Sequence, residues 1–136
     1  MLLTETQQKT LEAVVDRLIP PDDYPGAWAA GVGNYLQRQF ASDLQGAVPT
    51  YQQGLEALET ESEARFGTPF PGLETDNQDS LLRDIEAGNV QTSWGVPPQR
   101  FFSLLVAHTA EGYYSDPGNG GNRNALSWQM IGFLDR

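Results

Sequence analysis

His108 is the only histidine in the chain, and Glu111 follows three residues later, on the same face if the segment is helical. An imidazole titrates near neutrality and a nearby carboxylate raises its pKa, so the pair could pass a proton as acid and base. It could not build the usual zinc site, which takes three or four N, O or S ligands. Ferritin-like metal sites use ExxH twice with additional carboxylates, and here one reversed copy stands alone. A histidine inside the apolar run LLVAHTAEG is most often a packed, hydrogen-bonded core residue. That structural role is the expectation for His108, with a small acid–base enzyme as the alternative.

The second chemical candidate is SDPGNGGNRN, Ser115 to Asn124. A phosphate-binding loop needs GxxxxGK followed by Ser or Thr between a strand and a helix, and this stretch follows a helical pattern and lacks the lysine. No βαβ unit surrounds it, so a dinucleotide fingerprint also fails. Read as a calcium loop from Asp116, it offers Gly118, Gly120 and Ser127 at the third, fifth and twelfth positions, none of them a carboxylate. What the stretch can do is turn sharply. Pro117 fixes one φ, the glycines permit positive φ, and Asp116, Asn119, Asn122 and Asn124 can bond nearby backbone. A helix-ending turn that docks Trp128 and a binding loop both fit this composition.

Asp22 and Asp23 follow two prolines and suit capping or turn formation better than metal binding. Tyr24, Trp28, Phe70 and Trp94 lie in or beside loops, where aromatics serve as core plugs or as interface anchors. No residue looks like an activated nucleophile. The chain shows no assembled active site.

The elements that position these residues read as helices. Thr4 and Gln7 make a capping box, after which Leu11, Val14, Val15 and Leu18 share one face until Pro20 and Pro21 end the helix. A second helix is expected from about Ala27 to Phe40, weakened at Gly31 and Gly33. Pro49 opens a third, with Tyr51, Leu55 and Leu58 inward and EALETESEAR as solvated surface. A short fourth runs from about Gln78 to Ala87 and stops at Gly88. A fifth starts at Pro97 or Pro98 and carries FFSLLVAHTAEGYY. NALSWQMIGF closes the chain as a short helix or an extended segment. With no alternating strand and no internal repeat, the sequence predicts one all-α domain over residues 1–136, of about five helices with long Pro-, Gly- and aromatic-rich connections.

The totals narrow the partners. A chain of 136 residues with 39% hydrophobic and 19% charged residues can bury a real core. A net charge of −10, one lysine (Lys9) and scattered arginines argue against nucleic acid and anionic membranes. Acidity serves solubility and could also match a basic partner surface. With no cysteine, disulfides, thiolate zinc sites and iron–sulfur clusters are excluded. No apolar run is long enough to span a bilayer, and the N-terminus has no basic region ahead of an apolar one. The expected location is the cytoplasm, or the periplasm if the chain is processed or carried by an exported partner.

Two stretches carry a resemblance. HTAEGYYSDPGNGGNRNALSWQMIGF resembles the signature of the gluconate 2-dehydrogenase subunit 3 family, roughly HT-x-EG-[FY]-[FY]-x-DP-x-YGGN-x-x-x-x-GWKMIGFPG. The matches are His108, Thr109, Glu111, Gly112, Tyr113, Tyr114, Asp116, Pro117, Gly120, Gly121, Asn122, Trp128, Met130, Ile131, Gly132 and Phe133. LIPPDDYPGAWAAGV is similar to the family's other marker, a helix ending LIP-x-D followed by PGA-x-x-AGV. Asn119 stands in place of the family's tyrosine, Ser127 of a glycine and Gln129 of a lysine, and the chain ends FLDR. Many members carry a twin-arginine export signal, and none is read here, which favours a cytoplasmic or processed version.

The resemblance implies a non-catalytic small subunit, with no catalytic, cofactor or metal residues of its own. Its partner would be a large FAD-binding dehydrogenase subunit of the glucose–methanol–choline type that oxidises a sugar or polyol. The small subunit would act as a clamp or chaperone for that flavoprotein, and a cytochrome c subunit completes the membrane-bound versions. Tyr114, Asp116, Pro117, Gly120, Gly121, Asn122 and Trp128 are then the expected partner interface. A self-associating module with no flavoprotein partner is the further alternative.

Overall fold

The computed structural model describes residues 3–19, 31–42 and 44–115, with Tyr114 and Ser115 described by backbone alone. Five α-helices follow in order: α1 Glu5–Leu18, α2 Val32–Phe40, α3 Val48–Phe66, α4 Thr75–Ala87 and α5 Pro98–Ser115. Short 3-10 turns at Gln45–Ala47 and Phe70–Gly72 lead into α3 and α4, and no strand occurs among the described residues. The fold is all-α, as the sequence predicts.

α1 begins where the capping box places it. The Gln7 backbone N–H donates to Thr4 Oγ1 at 3.1 Å, and the Thr4 N–H donates to Gln7 Oε1 at 2.9 Å. Leu11, Val14, Val15 and Leu18 are buried along one stripe. Arg17, on the flank of that stripe, holds Asp79 of α4 with two bonds, Nε to Oδ1 at 2.8 Å and a terminal nitrogen to Oδ2 at 2.9 Å. This paired geometry orients α4 on α1.

Boundaries differ from the sequence reading in three places. α2 starts at Val32, because Gly31 sits at φ 103, a left-handed conformation that a right-handed helix cannot contain. The expected start near Ala27 falls outside the described residues. α4 begins three residues earlier than expected, at Thr75, and ends at Gly88 with φ 81. The loop after α3 contains the 3-10 turn Phe70–Gly72, which drops Phe70 into the core.

Tyr51 of α3 is the hub of that core. Its ring meets Phe40 of α2 edge-on at 4.8 Å between centroids and Phe101 of α5 at 6.1 Å. It also stacks on His108 at 5.7 Å with 16° between planes. Three helices therefore share one aromatic joint. Close approach of α3 to α5 depends on Gly54, where an added Cβ would lie 2.2 Å from Phe101 Cδ1.

Candidate functional site

The helical half of the C-terminal signature lies in the last two turns of α5. His108, Thr109, Gly112 and Tyr113 are buried there and Glu111 is exposed. His108 Nδ1 lies 2.8 Å from Tyr51 Oη, so one of the two groups donates according to the tautomer. Burial pushes the His108 pKa below the usual 6.5, and Glu111 opposes this only in part. The imidazole is thus neutral at pH 7. Burial, and after it Glu111, pushes Tyr51 well above the usual phenol range, so its hydroxyl keeps its proton. The residue pair considered as an acid and base divides between the core and the surface. The structure gives His108 the packed, hydrogen-bonded role expected of a histidine in an apolar run.

Gly112 meets α2. A Cβ at this position would stand 2.8 Å from Tyr35 Cδ2, 3.2 Å from Cγ and 3.4 Å from Cβ. These are the near atoms of an aromatic side chain, so relief would require moving α2 or α5. Tyr35 is half-buried, one turn inside α2.

Of the expected interface residues, Tyr114 is described only by its backbone, in the final turn of α5. Asp116, Pro117, Gly120, Gly121, Asn122 and Trp128 lie outside the described residues, as do Asp22, Asp23, Tyr24 and Trp28. Among the described residues no group of three or more His, Asp or Glu is placed to hold a metal ion. No described helix is long and apolar enough to cross a membrane.

The residue that sequence reasoning placed wrongly is Glu61. It falls within EALETESEAR, read as solvated surface, yet it is fully buried. Its Oε1 accepts from the Thr92 backbone N–H at 3.1 Å, from the Thr92 hydroxyl, and from Trp94 Nε1–H at 3.1 Å. Its Oε2 accepts from Gln91 N–H at 2.7 Å and from Arg65 Nε at 2.8 Å. Arg65 reaches on to Asp84 of α4 at 2.7 Å and to the Asn89 carbonyl. Burial raises the Glu61 pKa, but the donors from Thr92, Gln91, Trp94 and Arg65 outweigh it and hold the group at about 2. A usable signal was present: Tyr51, Leu55 and Leu58 set an inward stripe whose next step, three residues on, is Glu61. Trp94, bonded to this carboxylate and 6.1 Å from the Phe101 ring, is a core plug, as is Phe70.

The described part of the site therefore consists of signature residues spent on packing, on an all-helical frame. The family model for gluconate 2-dehydrogenase subunit 3 matches residues 5–135, and the chain belongs to that family. Neither the curated proteins nor the solved structures contain a match.

Proposed function

We propose that this chain is a non-catalytic small subunit that binds, stabilises and helps mature an FAD-dependent dehydrogenase subunit of the glucose–methanol–choline type, acting on a sugar or polyol. The observation that carries this reading is the family match over residues 5–135. The geometry agrees with it, because His108, Thr109, Gly112 and Tyr113 are signature residues and all are buried in helix packing.

FAD belongs to the large subunit in this reading. The partner interface is assigned to Tyr114, Asp116, Pro117, Gly120, Gly121, Asn122 and Trp128. The net charge of −10 suits a partner with a basic docking face. A cytochrome c subunit joins the complex in membrane-bound assemblies, and the location follows that of the flavoprotein, cytoplasmic or periplasmic.

The test is affinity purification of the tagged chain from its native extract, followed by an absorbance spectrum and mass analysis. A stoichiometric large subunit with flavin bands supports the proposal. A colourless chain that elutes alone or as a homo-oligomer overturns it. His108→Gln provides the control against an acid–base enzyme, since reconstituted dehydrogenase activity should persist.

A further inference from the structure

Tyr35 and Gly112 are 77 positions apart in sequence, yet a side chain on Gly112 would collide with the Tyr35 ring. Each residue lies within a turn of the point where a family marker meets a helix. The N-terminal marker ends at Gly31 and Val32, which cap and begin α2; the C-terminal marker starts in α5, which ends at Ser115. The contact thus locks the start of α2 against the end of α5. Glycine in a helix interior is unfavourable compared with alanine. The close approach of Tyr35 gives a reason for it here. His108, one turn earlier, is tied to Tyr51, so the last turns of α5 are held from α2 and from α3.

We infer that Tyr35 and Gly112 are positioning residues for partner binding: their contact sets the relative placement of α2 and α5 that the flavoprotein subunit reads. The inference rests on the function proposed above. Binding surfaces held in place by supporting packing lose affinity when that packing shifts, because the partner must then reorder them. Exposed Asn34 and Glu111 flank the contact, one residue from Tyr35 and from Gly112 respectively, and move with it.

The opposing effects at Gly112 make a clean test. Gly112→Ala gains helix propensity that offsets part of the cost of pushing α2 away, so affinity should fall by more than the change in folding stability accounts for. The wild-type chain and the variants Gly112→Ala, Tyr35→Ala and the double variant are titrated with the FAD-containing large subunit purified from the wild-type complex. Kd and the melting temperature of the isolated chain are recorded for each. The expected result is binding weaker by roughly tenfold or more for each single variant. The melting temperature of Gly112→Ala should fall by less than that of Tyr35→Ala, because the helix-propensity gain offsets part of the overlap. The double variant should bind no more weakly than the worse single one, because the alanine methyl then enters space left by the ring. Tyr35→Phe, which keeps the ring against Gly112, should bind more tightly than Tyr35→Ala.

Equal affinity for wild type and Gly112→Ala overturns the inference and leaves the proposed function standing. So does a loss of affinity that tracks melting temperature across all variants, or strictly additive effects. Should Gly112→Ala fail to fold, Tyr35→Ala against Tyr35→Phe decides the same question from the other helix. No binding by the wild-type chain overturns both readings.

Discussion

Replacing Glu61 with glutamine tests the buried carboxylate directly. The substitution keeps shape and volume but removes the charge that Arg65 faces, and it turns one acceptor into an amide donor opposite the donors of Gln91, Thr92 or Trp94. Lowering the carboxylate from the ordinary 4.5 to about 2 corresponds to roughly 3 kcal/mol, at about 1.4 kcal/mol per pKa unit. This agrees with the roughly 3–5 kcal/mol lost when one partner of a buried ion pair is removed. For a chain of this size each kcal/mol moves the melting temperature by about 3–4 °C, so Glu61→Gln should melt about 10 °C lower at neutral pH. The assay is urea or thermal unfolding, followed by circular dichroism and by tryptophan fluorescence. A depressed carboxylate pKa gives stability that is complete above 4.5 and lost as pH falls toward about 2. Wild type and variant should therefore converge as pH drops through that window. A difference at neutral pH below about 1 kcal/mol, or one that persists undiminished at about pH 2, would refute this account of the site.

Three further outcomes are expected. Gly54→Ala should destabilise the fold by about 1–2 kcal/mol in denaturant unfolding, since the overlap with buried Phe101 exceeds the helix-propensity gain of about 1 kcal/mol. His108 has a depressed pKa, so wild-type stability should be complete above 6.5 and decline as pH falls below it. His108→Gln should flatten that decline in unfolding curves taken between about pH 7 and pH 5. Tyr51→Phe should cost about 1–2 kcal/mol by thermal melt, because it leaves buried His108 Nδ1 without its partner while keeping the ring contacts.

The fold was legible wherever a local rule governed it. The Thr4–Gln7 box, the stop at Gly88 and the inward stripes of α1, α3 and α4 depend on residues within a turn or two of one another. The start of α2 was less legible, because whether Gly31 continues a helix or caps it depends on backbone conformation that its identity only permits. The Glu61 site was hidden for a different reason. Its donors come from residues 91–94, about thirty positions downstream, and an acid among acids reads as surface until those donors arrive. Gly54 and Gly112 likewise owe their meaning to Phe101 and Tyr35, partners distant in sequence. The signature residues announced the family, and the burial of His108 and Tyr113 shows that part of such a signature records packing.

At nine residues, α2 is too short to persist as a helix by itself in water. Its order is borrowed from Phe40 against Tyr51 at one end and from Tyr35 against Gly112 at the other. When α5 lifts away, α2 loses the contact that holds its first turns and keeps the one at Phe40. The amide protons of Leu36 and Gln37 should then exchange with deuterium at the rate of α5 release, although neither residue belongs to that helix. A nine-residue segment thus becomes a built-in reporter of how firmly its neighbour is seated.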